Sequence, residues 1–281
     1  MLDTRTPLRS IAVPMLAVAA CALLVALAPA IAVADAKSRE ILDEVARRDR
    51  TTRSWTDRSQ NLRIRIDDAG GVRERELAMK TSRSERRESK TLLIVLSPAD
   101  QRGTAILQHS HRDKPSEQWL YQPLWGRTRQ VSPSIKRQRF VGSDFTIQDL
   151  EILADAADWT EAEVHSSFIG DATVDGLSVH VIELTPGEKS FGYSKIHLAL
   201  DQKDLLPRRL EMFDEDGNQE KVLTLGRFET ADGIPTPLHL EMKVVKGGES
   251  IVDLSDVRYD QNLAVELFET RSLERGSALS E

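Results

Sequence analysis

The chain has 281 residues, a formal net charge of −7, 30% charged and 40% hydrophobic side chains, and a single cysteine, Cys21. That length fits one large domain or two small ones, and the apolar content is enough for a core, which excludes wholesale disorder. Beyond Ala34 no uncharged apolar run approaches the ~18 residues of a membrane-crossing helix, so a polytopic helical membrane protein is excluded.

Arg5 and Arg9 precede 24 uncharged residues, Ile11 to Ala34, ten of them alanine. Ala32-Val33-Ala34 then forms a small-residue cleavage site before Asp35. The arrangement predicts a secretory signal peptide over 1–34 and a mature domain over 35–281. Two alternatives stand beside it. One is an uncleaved anchor helix, weakened by Pro14 and Pro29. The other is a lipobox, Val18-Ala19-Ala20-Cys21, with lipid attached at the cysteine; against it, the apolar run continues for 13 residues past Cys21. On the cleaved reading the mature domain has no cysteine, which excludes disulfides, thiolate zinc sites and cysteine nucleophiles.

The mature part opens with Ile41, Leu42 and Val45 among charged residues, a spacing that predicts one amphipathic helix to about residue 50. Strand signals follow. Leu62, Ile64 and Ile66 alternate with Arg63, Arg65 and Asp67, and Ala69-Gly70-Gly71 turns the chain into a partner over 72–81. Leu92 to Leu96 is a continuous apolar strand, followed by strands over 103–109 and 117–122. Later strands are expected near 177–181, 195–200, 205–213, 221–228, 238–244 and 251–259, mostly separated by turn signals such as Asp214-Glu215-Asp216-Gly217-Asn218. Helical spacing interrupts them at 145–157 and 263–274. About eleven closely spaced strands predict an antiparallel meander in one domain, not βαβ units. So large a sheet must twist and curl, and a curled sheet covered by few helices tends to leave a cavity.

Catalytic and metal signatures are missing from the sequence: it contains no G-x-S-x-G, H-E-x-x-H, P-loop or G-x-G-x-x-G. His109 and His111 share a strand face and read as surface histidines. The glycine of Asp214–Asn218 stands at the fourth position, where a calcium loop needs it at the sixth, so a hairpin turn is expected. An acidic exported domain is a poor partner for nucleic acid, and no cofactor is implied.

One stretch stands apart. Trp119, Tyr121 and Trp125 cluster together, and from Trp125 to Phe140 there are five basic residues, Arg127, Arg129, Lys136, Arg137 and Arg139, and no acid. Gly142-Ser143-Asp144-Phe145 then breaks the strand. Ser143 or Asp144 can cap a following helix, whose dipole Asp149 and Glu151 would suit. These residues have a plain structural reading, an aromatic strand on a capped helix with a solvated basic edge. They also have a functional one, aromatics at a cavity mouth with cations for an anionic headgroup or partner.

The pattern W-x-Y-x-P, R-x-R, then F-x-G-S-D-F-x-x-x-D-L resembles the outer-membrane lipoprotein-sorting (LolA-like) family. It is carried by Trp119, Tyr121, Pro123, Arg127, Arg129, Phe140, Gly142, Ser143, Asp144, Phe145, Asp149 and Leu150. The resemblance implies a mainly β fold: a half-open antiparallel β-barrel of about eleven strands whose concave apolar face is covered by helices. It implies a periplasmic, non-enzymatic carrier of lipid or lipoprotein acyl chains, working between an inner-membrane exporter and an outer-membrane acceptor. The expected cavity residues are Trp119, Tyr121, Leu124, Phe145, Leu150 and Leu153. The five basic residues are expected to contact a headgroup or partner. The rival readings are a sensor that binds lipoproteins and signals to a membrane partner, and an envelope hydrolase, for which the sequence offers no nucleophile–base pair.

Overall fold

A computed structural model describes residues 35–84, 88–111, 116–131, 139–146, 148–149, 152, 159–187 and 192–275. The expected signal peptide, 1–34, lies outside these residues. Helix α1 covers residues 35–50, as the apolar spacing predicts. It lays Ile41 and Val45 into the core and ties its last turn to the 203–204 turn, where Arg48 donates to the Asp204 carbonyl at 2.9 Å.

Among the described residues thirteen strands form one antiparallel sheet. They are β1 (Asp57–Asp68), β2 (Gly71–Arg83), β3 (Ser89–Ser97), β4 (Ala105–Ser110), β5 (Glu117–Gln122), β6 (Arg127–Gln130) and β7 (Val164–Val174). The remainder are β8 (Leu177–Pro186), β9 (Lys195–Asp201), β10 (Pro207–Phe213), β11 (Gln219–Ala231), β12 (Ile234–Val244) and β13 (Glu249–Tyr259). Eleven coincide with the expected strands. The two additional ones are β6 and β7, which are the two edges of the sheet. An edge strand buries little, and little burial leaves little alternation: β6 reads Arg-Thr-Arg-Gln, and most of β7 is exposed or half-buried. The Asp214–Asn218 segment is the hairpin turn expected, with the Asp214 carboxylate accepting the Asn218 N–H at 2.8 Å.

The order across the sheet is β6-β5-β4-β3-β2-β1-β13-β12-β11-β10-β9-β8-β7. The first and last strands therefore pair at its middle, with Leu62 opposite Leu254 and Ile64 opposite Val252. The sheet stays open because β6 and β7 do not meet. Consecutive in sequence, they lie at opposite ends of twelve strand steps, on the order of 60 Å if the sheet were flat. Of the connection between them, the described crossover residues Phe140, Phe145 and Ile152 lie on the sheet's concave side, within the Phe140–Asp149 motif and just beyond it.

Apolar side chains form two clusters, one on each face. The larger lies on the concave face and gathers α1, Phe140, Phe145 and inward residues of most strands, among them Ile64, Leu77, Leu198, Leu223 and Met242. The smaller lies on the other face of β3–β5. There Leu92, Ile94 and Leu107 pack against Leu267, Phe268 and Leu273, which belong to the 3₁₀ turn Val265–Phe268 and helix α2 (Thr270–Arg275). Strand β3 is thus covered on both sides. That is why its apolar run is continuous where the other strands alternate.

The crossover is fastened by polar contacts. Asp149 is fully buried; its carboxylate accepts from Tyr193 Oη at 2.6 Å, Lys221 Nζ at 3.0 Å and the Thr146 N–H at 2.8 Å. Lys221, also buried, donates to the Asp144 carbonyl at 3.1 Å. Ser250 of β13 donates to the Asp144 carboxylate at 2.7 Å and accepts the Asp144 N–H at 2.9 Å. Arg139 completes the clasp: it donates to Asp144 at 2.9 Å, to Asp68 of β1 at 3.2 Å and to the Ser143 carbonyl at 2.9 Å. The Gly70 N–H and the guanidinium groups of Arg73 and Arg139 hold the Asp68 carboxyl below its ordinary range. Burial and the Asp149 carboxylate push the Tyr193 phenol up, so it stays a hydrogen-bond donor. Between the two anchors the backbone turns sharply, with Val141 at φ 45° and Gly142 at φ 80°. Glycine adopts that region freely, whereas a β-branched valine is strained there by about 1–3 kcal/mol, and the Ser143 Oγ to Phe140 carbonyl bond at 2.7 Å helps hold the turn.

Removing one partner of a buried ion pair strands the other. Asp149→Ala is expected to lower the unfolding free energy by about 3–5 kcal/mol in urea titration. Asp149→Leu combined with Lys221→Met is expected to recover most of that loss; equal losses in the two variants would show that the pair does not carry the clasp.

Candidate functional site

Beneath the crossover and α1 the concave face encloses a cavity of ≈ 410 Å³. That falls within the roughly 300–1,000 Å³ of small-molecule sites. Its floor is the inward-facing residues of the strands, since a pleated strand presents alternate side chains to one face. Leu62 and Ile64 of β1, Met79 of β2, Leu93 of β3 and Ile106 of β4 contribute one wall; Leu198, Leu210, Leu225, Leu240 and Val252 contribute the other. The roof is Leu42 and Val45 of α1 with Phe140, Phe145 and Ile152 of the crossover. Among the described residues no group of three or more His, Cys, Asp or Glu side chains could hold a metal ion.

The cavity is apolar along most of its length and polar at one end. Cross-strand register places Arg58 opposite Thr81, Thr81 opposite Thr91, Thr91 opposite Gln108 and Gln108 opposite Gln118. The parallel row, one inward position along, is Gln60, Met79, Leu93 and Ile106. At the polar end Trp55 stacks at 5.6 Å from Tyr259, and the Arg58 and Arg83 guanidinium groups sit 5.2 and 4.6 Å from the Trp55 ring.

The motif residues divide between several roles. Phe145 and Phe140 line the cavity. Ser143, Asp144, Asp149 and Arg139 build the clasp above it, and Gly142 makes its turn. Leu150, Leu153, Lys136 and Arg137 fall outside the described residues. Trp119 and Tyr121 correct the sequence reading: they do not line the cavity. Gln118 faces it, so the adjacent Trp119 must face away, and both aromatics pack on the outer cluster with Leu107 and Phe268. Period two shows that they share a face without saying which face is concave. Leu124 is a second correction: it stands 91% exposed on the β5–β6 turn beside Pro123, because a four-residue turn at a sheet edge has nothing to pack against. Arg127 is exposed on edge strand β6, and Arg129 lies 4.3 Å from the Trp125 ring. Trp55, Tyr259, Arg58 and Arg83 were not legible as a site. Trp55 and Tyr259 are isolated aromatics far apart in sequence, joined only by the β1–β13 pairing.

On the outer face His109 stacks edge-on against Trp119 at 4.8 Å, and its Nε2 lies 2.8 Å from the Phe268 carbonyl, to which it donates as the Nε2–H tautomer. Burial lowers the pKa of this imidazole from 6.5; the Phe268 carbonyl opposes the shift, and Lys90 and His111 add to it. The folded domain therefore binds this proton less readily than the unfolded chain, and its stability falls as pH drops through about 6.5. His109→Gln is expected to reduce the stability slope between about pH 7 and 5.5 in denaturant titrations; an unchanged slope would remove His109 as its source.

A family model described as "-like: Uncharacterized protein" matches residues 87–275. Among solved structures, a candidate outer membrane lipoprotein-sorting protein domain from Vibrio parahaemolyticus is 28% identical, with a TM-score of 0.76 over 86% of this chain and 100% of that one. A DUF1329 family protein from Desulfovibrio piger is 24% identical, with a TM-score of 0.77 over 85% of this chain and 99% of that one. A LolA superfamily protein from Nitrosomonas europaea has the same fold at 20% identity, with a TM-score of 0.60 over 83% of this chain and 97% of that one. No curated protein matches the sequence.

Proposed function

We propose that this chain, a member of the family whose model matches residues 87–275 and similar in fold to the lipoprotein-sorting and LolA superfamily structures, is a periplasmic carrier of lipid or lipoprotein acyl chains. The observation that carries this reading is the cavity itself: an apolar chamber of ≈ 410 Å³ under a polar clasp. Each methylene moved from water into such a chamber contributes about 0.8 kcal/mol. A long acyl chain is thereby held on the order of 10 kcal/mol more favourably than in water before ordering costs. This is shielding, and it needs no bond-making residue. The direction of transfer is a matter for the outer surface. Arg127 on edge strand β6 and Arg129 beside Trp125 offer cations to an anionic membrane or partner face, an interaction that salt would weaken.

Native mass spectrometry of the protein purified from the periplasm is expected to show bound lipid or acylated protein. Recovery without cargo, together with no uptake of a fluorescent fatty acid, would overturn the proposal. Leu62→Trp narrows the chamber at a half-buried wall position. By excluding two or more methylenes it is expected to weaken fatty-acid binding about tenfold or more. Trp119→Ala with Tyr121→Ala, on the outer face, is expected to cost stability and leave uptake unchanged.

A further inference from the structure

We propose that the polar end of the cavity is a subsite for the anionic end group of the acyl ligand, with Arg58 and Arg83 as its cations. The inference rests on the acyl-carrier reading and adds polarity to it: the tail lies along the Leu62–Ile106 wall and the charged end stops at Trp55.

Four observations meet at this place. The first is charge. Arg53, which also lines the cavity, has Asp49 at 3.7 Å. Arg58 and Arg83 form no ion pair among the described residues; their recorded side-chain contacts are with the rings of Trp55 and Tyr259. Two guanidinium groups held over one indole, without a carboxylate, form a fork suited to an oxyanion. The second is unsatisfied hydrogen-bonding capacity. Gln60 is 5% exposed, and among the described residues its amide makes a single contact, 3.3 Å from Nε2 to the Met79 sulfur. Gln60 Oε1 and Arg58 Nε are both buried without a partner among the described residues. Buried polar atoms in native proteins are nearly always paired, so these two await a ligand group or water.

The third is the row itself. A cavity meant only for hydrocarbon has no use for Thr81, Thr91, Gln108 and Gln118 along one wall. Thr81 and Gln118 are buried, so this row is part of the chamber and not a solvated rim. Their mutual bonds, Thr81 with Thr91 at 3.3 Å and Gln118 to Gln108 at 2.9 Å, orient the wall. The fourth is order along the strands: the change from leucine, isoleucine and methionine to threonine and glutamine occurs at the same register on β2, β3 and β4, and one inward position earlier, at Gln60 before Arg58, on β1. An amphiphile has the same gradient along its length. The shared chemistry is an oxyanion at the end of an acyl chain, supplied by a fatty-acid carboxylate or by a phospholipid phosphate.

The test compares binding of hexadecanoate and hexadecanol to the mature protein at about pH 8, where the acid is ionised. Charge-assisted hydrogen bonds are expected to make wild type prefer the anion about tenfold or more. That preference is expected to fall toward unity in Arg58→Gln/Arg83→Gln, with circular dichroism reporting the fold. Arg83→Gln alone, expected to lose part of the preference, serves if the double variant does not fold, and Arg58→Lys is expected to retain part of it. Competition with a lysophosphatidylglycerol distinguishes the sources: displacement of the bound anion assigns a phosphate-bearing lipid, and its failure beside binding of hexadecanoate assigns a carboxylate. Equal wild-type affinity for acid and alcohol, or a preference that survives the loss of both arginines, overturns this inference while leaving the carrier reading intact. Binding of neither molecule overturns both.

Discussion

A lysine ammonium and an aspartate carboxylate meet beneath the surface of this protein with almost no water around them. Lys221 reaches up from strand β11 and Asp149 reaches down from the crossover, 3.0 Å apart. Taken singly, each would cost several kcal/mol to desolvate. Together, with the Tyr193 hydroxyl, the Thr146 N–H and the Asp144 carbonyl, they are satisfied. Such a network is favourable only when complete, so it admits one placement of the crossover over the sheet. The Asp144–Ser250 bonds and the Arg139–Asp68 pair repeat the arrangement on β13 and β1. A crossover docked chiefly by greasy side chains would have plugged the concave face. Directional polar anchors hold it in place with few atoms, and space remains beneath.

The two faces of the sheet have separate roles. On the concave side, inward residues of the central strands form a floor whose character changes from hydrocarbon to hydrogen-bonding along the strands. On the convex side of β3–β5 the C-terminal turn and α2 seal an ordinary small core, with His109 and Trp119 at its border. That second core stiffens the half of the sheet bearing the polar end of the chamber.

The architecture was largely legible in the sequence because most strands carry a burial difference between their faces, and period-two alternation reports that difference. It failed at β6 and β7, whose edge position removes the difference. The motif was also legible, but its chemistry was misassigned in part. Asp149 was read as a residue suited to a helix dipole, yet its role is to accept from a lysine 72 residues away; no local pattern carries that information. Arg139 read as one more charge in a solvated basic run, though two carboxylates claim it. Trp119 and Tyr121 illustrate the same limit: spacing gives the shared face, and only tertiary packing says whether that face is container or exterior. The Trp55 and Tyr259 pair depends on the meeting of β1 and β13, the longest-range pairing in the sheet.

That meeting has a kinetic consequence. Eleven of the twelve strand pairings join sequence neighbours and can form as soon as both strands exist, but the pairing of β1 with β13 has to wait for the last strand. Before the final strand arrives the chain is two separate meanders, each with a raw edge of unpaired backbone groups at what will become the centre. Joining them closes a loop of nearly the whole domain, and the contact order this imposes slows the committing step. The partly assembled state exposes the same apolar floor that later becomes the chamber, which is the kind of surface on which collapsed intermediates associate. Loss of the last strand would therefore not shorten the sheet by one row; it would divide it.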